Sequence, residues 1–255
     1  MKRLLFFSGL LFFVLFSGTA HGGKESLPAI YILLFDGSSS DIIPLLLNDT
    51  GITRGGNYPS GNNAGCSGVA IGAQDCSGGR DITHNNNTDG HAGFSFTKIS
   101  STGQELSANA PTWSCVKDNV TGLMWEVKTT SGLHNRASNF TWYNTDPATN
   151  GGANGDPGGN NNTQTFVTDV NTQGLCGASD WRMPSYGELQ GIVSYGHYGP
   201  TIDIIYFPNS QSGFFWSGTS FAGGTDRAMG ILFLCGNSWA APRTETKKVR
   251  LVRSN

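Results

Sequence analysis

Leu175-Cys176-Gly177-Ala178-Ser179-Asp180-Trp181-Arg182-Met183-Pro184-Ser185-Tyr186-Gly187-Glu188-Leu189 decides how the rest of the chain is read. Gly174 and Gly177 close whatever precedes it. Trp181 and Met183 stand two apart, so an extended backbone puts both on one face. Pro184 has no N–H to give a ladder and stops the strand. Ser185 and Glu188 then stand three apart, the spacing of a capping box that satisfies two orphan N–H groups at a helix start. Leu189, Ile192 and Val193 continue with an apolar stripe at helical spacing. The stretch predicts a strand, a proline corner and a capped helix over 185–194, with Trp181 and Leu189 pointing into one core.

Working outward, Gln164–Thr172 reads as a helix, with Phe166, Val167 and Val170 on one face and Gly174 as its stop. Phe94–Ile99 alternates apolar and polar and predicts a half-buried strand. Trp113–Val127 predicts two short strands around an Asp118-Asn119…Thr121-Gly122 turn. Between them and the helix, Ser138–Asn162 is a long excursion carrying Phe140, Trp142 and Tyr143; loops of this length are commonly functional. On the C-terminal side, Gly196–Gln211 reads as a loop with His197, Tyr198 and Tyr206. Gly213–Ser217 and Ala228–Leu234 read as strands, and Lys247–Arg253 as a final strand.

The composition points to export. Charged residues make up 13% of the chain, against about 25% in an ordinary soluble domain. Solubility must come from neutral polar groups in loops. Lys2 and Arg3, the apolar run Leu4–Phe16 and the small residues Ser17–Ala20 have the layout of an export signal over residues 1–20. That run is short for a membrane span, which needs about 20 residues. No cysteine stands near the cleavage point, so a lipid anchor is not expected. The net charge is −2; removing Lys2 and Arg3 leaves 14 bases against 18 acids, or −4. A nucleic-acid binder would carry a basic face instead. The expected location is periplasmic, extracellular or on the cell surface.

Five cysteines remain, and none forms a CxxC pair, which removes support for a zinc or thioredoxin-like motif. In an exported chain they are expected to be oxidised. Cys66 with Cys76 is the first expected pair and Cys115 with Cys176 the second; Cys176 with Cys235 is the rival. Residues 21–92 form a lead-in. Its 28–47 part holds two apolar runs and reads either as a hairpin or as a weakly ordered leader. Its Asn48–Gly93 part is Gly/Asn-rich and buries little. Within it, Asn85–Gly90 imitates the first half of a calcium loop, but the twelfth position is Phe96 and the bidentate Glu is missing. A plain turn is the simpler reading. No metal and no cofactor is expected.

Several anchors occur in order: Gly79-Arg80-Asp81, Asp118-Asn119-Val120-Thr121-Gly122-Leu123-Met124-Trp125, Asp180-Trp181-Arg182-Met183-Pro184, Phe215-Trp216-Ser217 and Val249-Arg250-Leu251-Val252-Arg253. Together they resemble the Lcl C-terminal domain family of exported bacterial proteins. The resemblance covers residues 93–255, with the lead-in around Cys66 and Cys76 also similar. Met183 stands where that family more often has Leu, a volume-conserving change. The resemblance implies an α+β, C-type-lectin-like fold: two helices on twisted antiparallel strands, long irregular loops and neighbouring termini. It also implies an adhesion role, since the best-known relatives bind sulfated glycans. Fold likeness alone is an associational warrant for function.

Three functions are weighed. The first is a non-catalytic binding module for extracellular polysaccharide or sulfated glycan. Exposed aromatics would stack on sugar rings, and the candidates are Trp142, Tyr143, His197, Tyr198 and Trp239. The calcium-lectin sequence signature is absent, so binding would not use calcium. Arg243, Lys247, Lys248, Arg250 and Arg253 form the one basic cluster suited to sulfate, though Lys and Arg also guard an edge strand against pairing. The second is a structural cell-envelope protein that binds other proteins. The third is an enzyme, such as a formylglycine-generating-like oxidase using the leftover Cys235. No GxSxG elbow occurs, and Asp180 and Glu188 already have turn and cap work. An enzyme is therefore not expected, because no nucleophile, base and orienter assemble.

Overall fold

The computed structural model describes residues 47–56, 62–63, 75–84 and 87–254. The export signal, nearly all of the 28–47 reading and the Cys66–Cys76 bond lie outside the described residues. In chain order the elements are β1 (Gly55–Gly56), β2 (Asn62–Asn63), a one-turn α1 (Asp75–Gly78), β3 (Phe96–Ile99), β4 (Glu105–Leu106), β5 (Cys115–Asp118) and β6 (Leu123–Glu126). Then come α2 (Thr163–Gln173), α3 (Tyr186–Gln190), β7 (Phe214–Ser220), β8 (Arg227–Leu232), β9 (Asn237–Pro242) and β10 (Val252–Ser254). The architecture is α+β. A five-stranded sheet runs β10-β6-β5-β3-β4 and a three-stranded sheet β7-β8-β9, beside the small β1–β2 pair. Among the described residues these strands pair with one another antiparallel throughout.

The proline corner forms as its residues dictate. Ser185 accepts from the Glu188 N–H at 3.2 Å, and Glu188 accepts in return from the Ser185 N–H at 2.7 Å. The same carboxylate takes a two-pronged contact from Arg182 at 2.8 and 2.6 Å, the strongest geometry available to that pair. Arg182 exchanges both backbone bonds with Val252, which ties the corner to the final strand. The helix is shorter than predicted: Gly191 caps it after Gln190, and Ile192 and Val193 are buried just beyond. Trp181 and Leu189 are both buried, but in different cores. The corner carries the chain from one to the other. One core gathers around Trp125 with Leu189, Ile192 and Phe215. The other gathers around Trp142, Trp181 and Trp216 with Phe166 of α2.

α2 starts at Asn162, whose side chain accepts from the Thr165 N–H, and ends at left-handed Gly174. It buries Phe166 and Val170, each contributing about 1.5–3 kcal/mol on removal from water. Cys115 on β5 bonds Cys176 across a sequence separation of 61, and Cys235 is a free thiol. The rival Cys176–Cys235 pairing is thereby overturned. Closing a loop of this length stabilises by about 4 kcal/mol in the chain-entropy account.

Two readings need correction. The 138–162 excursion is not a free loop: Phe140 and Trp142 are buried and bridge to the chain near Lys247 and Arg243. The expected final strand over 247–253 is split. Lys248 bridges Phe215 of β7, while β10 pairs with β6, so the segment passes from one sheet to the other. β9 was not foreseen, because Asn237–Pro242 shows no alternation. Its first three residues are all exposed.

Candidate functional site

β9 is an edge strand, hydrogen-bonded to β8 alone. Trp239 sits on it opposite Gly230 and remains 42% exposed. Gly230 makes this possible. A Cβ there would lie 2.4 Å from the Phe214 ring, so only glycine lets Phe214 slide across β8 from β7. The Phe214 and Trp239 rings meet at 4.6 Å between centroids, tilted by 42°. The indole is thus braced by a core ring while much of it stays open to solvent.

Trp239 borders an open groove of about 670 Å³. α3 supplies Tyr186 and Gln190, four apart and therefore on one helix face. Glu188 points elsewhere, toward Arg182. Tyr195 and Gly236 form the far wall, and Asn237 and Ser238 complete the lining. The polar atoms are wired together. Tyr186 Oη lies 3.0 Å from Ser238 Oγ and 3.2 Å from Gln190 Oε1. The Gln190 amide donates to Tyr195 Oη, which donates to the Gly236 carbonyl at 3.3 Å. Left-handed Gly236 lets the Tyr195 ring lie against the turn, since a Cβ there would meet that ring at 2.5 Å. Burial raises the Tyr195 pKa, opposed by the Gln190 hydrogen bond and assisted by Tyr186 and Cys235. Tyr195 is therefore a neutral phenol, able both to donate and to accept.

The loop that carries Tyr195 is strapped down by the lead-in. The Tyr195 N–H donates to the Thr50 carbonyl at 2.7 Å. Gly196 passes so close that a Cβ there would lie 2.1 Å from the Gly51 oxygen. His91 and His197 then meet edge to face at 4.6 Å.

The five candidate stacking residues are not brought together. Trp142 is a core residue: its indole N–H donates to the Ser217 carbonyl at 2.9 Å, and the Arg243 guanidinium covers its ring at 4.0 Å. It has no face to offer a ligand. Tyr143 is half-buried, with both backbone groups held by Thr163. His197 is half-buried against Ser194 and His91, and burial, then His91, lowers its pKa while Asp203 opposes. Tyr198 is 76% exposed but does not line the groove. Only Trp239 of the five lies in it. Tyr186 and Tyr195 were missed, since their approach depends on Gly236 and Ser238 some 40 to 50 positions away.

The basic cluster does not form a surface patch either. Arg243 and Arg250 are buried. Lys247 pairs with Glu245 at 2.6 Å and Arg253 with Asp180 at 2.6 Å, while Lys248 donates to the Arg136 carbonyl. Asp180 and Glu188, the carboxylates considered for hydrolysis, are each engaged by an arginine. In the calcium-like turn, Asn87 accepts from the Ala92 N–H and Asp89 from the Ser95 hydroxyl. Phe96, at the twelfth position, is a buried strand residue.

A second polar constellation is wholly internal. Glu126 accepts from Lys128 at 2.7 Å, lies 2.9 Å from His134 Nδ1, and accepts from the Leu251 N–H at 2.9 Å. Arg250 joins it through the Glu126 carbonyl and Ser210. Burial pushes the Glu126 carboxyl up, but Lys128 and His134 outweigh this and hold it at about 2. Burial lowers Arg250 to about 10, opposed by Glu126. Arg250 Nε finds no partner among the described residues, so the centre is not fully satisfied.

Fold and groove together define a disulfide-stapled α+β domain that presents an aromatic, charge-free recess at a sheet edge. The chain belongs to the Lcl C-terminal domain family, whose model matches residues 114–253. The match starts just before β5, so β3 and β4 of the same sheet, and the Thr50 strap, precede it. No curated protein and no solved structure matches the chain. Among the described residues no helix is long and apolar enough to cross a membrane.

Proposed function

We propose that the chain is an exported, non-catalytic binding module for extracellular polysaccharide, with a lectin-like adhesion role. The observation that carries this reading is Trp239: half-open, braced behind by Phe214, and flanked by hydroxyl and amide groups. A sugar presents just such a pair of surfaces, an apolar ring face and a rim of hydroxyls. Aromatics with a polar edge are suited to a half-wet contact of this kind. The Cys115–Cys176 bond is in keeping with an oxidising compartment.

The test is titration of the secreted chain against a polysaccharide panel by calorimetry. Trp239→Ala is expected to weaken binding at least tenfold, about 1.4 kcal/mol, while the loss of its contact with Phe214 lowers the melting temperature by only a few degrees. Equal binding by both proteins would sink the reading. A structural envelope protein is the second reading, supported by Ile204 and Ile205, which are 54% and 66% exposed on one loop. Self-association or protein capture that is lost in Ile205→Ser would favour it.

A further inference from the structure

We infer that the groove selects uncharged sugars and discriminates against sulfated ones; this rests on the polysaccharide reading above. The lining offers an anion no counter-charge. Tyr186, Gln190, Tyr195, Asn237, Ser238 and Trp239 carry no formal charge at neutral pH. Sulfate recognition wants guanidinium or ammonium groups placed to meet the oxygens. The cations that sequence alone offered for this are committed elsewhere. Arg243 grips the carbonyls of Asn150, Ala153 and Arg227 beneath Trp142. Arg250 is sealed beside Glu126. Lys247 and Arg253 each face a carboxylate, and Lys248 donates to the Arg136 carbonyl. Arg182, the cation attached to the α3 corner, is spent on Glu188.

The polar groups that do line the groove are of the neutral, two-way kind. Ser238, Tyr186 and Tyr195 can each donate or accept, and Gln190 and Asn237 carry one donor end and one acceptor end. Such a set matches sugar hydroxyls, which also do both. An anionic substituent in the same place would leave water without gaining a counter-charge, a costly exchange.

The experiment uses the secreted chain with dextran, mannan and laminarin, each against its own sulfated derivative, at about 0.05 and about 0.5 M NaCl, a range over which screening rises severalfold. The expected result is that at least one neutral polymer binds tenfold or more tighter than its sulfated form. Its affinity should hold within twofold across the salt range and fall at least tenfold in Trp239→Ala. Asn237→Lys, an exposed change that leaves the core untouched, is expected to gain several-fold affinity for the sulfated form at low salt. Tighter binding of the sulfated form, salt-sensitive and dependent on Trp239, overturns the charge inference and leaves the polysaccharide reading standing. Absence of Trp239-dependent binding throughout both series overturns the two together.

Discussion

The Glu126 centre and the Trp239 groove exchange the usual places of charge and apolar surface. At Glu126 a carboxylate, an ammonium and a guanidinium are shut away among the strands. At Trp239 an indole and a phenol face water beside neutral amides. The difference lies in what completes each group. Glu126 finds every partner inside the chain, from Lys128, His134 and Leu251. Among the described residues Trp239 meets one ring, that of Phe214, and it stays 42% exposed. A buried charge network fixes how strands meet; a half-covered aromatic leaves contact area in reserve.

The sharpest way to break this comparison is Glu126→Ala. It strands Lys128 and Arg250 as buried charges, and losing one partner of such a set costs about 3–5 kcal/mol. Urea denaturation should show that loss, while the folded fraction binds polysaccharide as before. Equal loss of groove affinity would mean that the two regions are not separate. Acid offers a gentler probe of the same centre. Its folded pKa of about 2 lies below its ordinary 4.5, so its contribution is complete above pH 4.5 and disappears as pH falls through about 2. The gap corresponds to an effect on the order of 3 kcal/mol. That limb should be present in the native protein's stability–pH curve and missing in Glu126→Gln.

On the groove side, Gly230→Ala should drive Phe214 off β8 and leave Trp239 unbraced. Binding is expected to weaken about tenfold, about 1.4 kcal/mol; the same Cβ would lie 2.4 Å from the Phe215 carbonyl oxygen, so stability should fall by about 1–3 kcal/mol as well, and fluorescence of the indole would report the change. The smallest effect is expected at the corner between the regions. Ser185→Ala removes the cap of α3 and should cost about 1 kcal/mol, read by thermal melting. A loss well above 2 kcal/mol would show that the corner supports more than its own helix.

What could be read from the chain beforehand follows the range of each interaction. The Ser185–Glu188 box, the helix expected over Gln164–Thr172 with Gly174 as its stop and the Asp118–Gly122 turn are written within a few residues of themselves, and each formed, the helix one residue longer at either end. The Cys115–Cys176 bond was among the alternatives considered. For Trp142 the sequence left core and ligand roles about equally open, because the arginine that covers it stands 101 positions later in the chain. β9 was hidden because Asn237, Ser238 and Trp239 are exposed in succession, on both faces of the strand, so no alternation marks it. At the groove, Trp239 was legible as an aromatic in a polar run, whereas Tyr186 and Tyr195 became visible only once α3 met the β8–β9 turn. The basic cluster illustrates the converse: five nearby cations on paper, of which folding buries Arg243 and Arg250, pairs Lys247 and Arg253 with carboxylates, and sets Lys248 on the Arg136 carbonyl.

The crossing of Gly51 over Gly196 bears on where this domain can be cut. A fragment trimmed to residues 114–253 would retain Trp239 and both flanking tyrosines yet lack the segment that anchors Tyr195 through Thr50. Its recess would have one loose wall, and weak affinity measured on such a fragment would describe the scissors more than the protein. For this molecule the stretch that carries the family match and the stretch that builds the recess have different lengths.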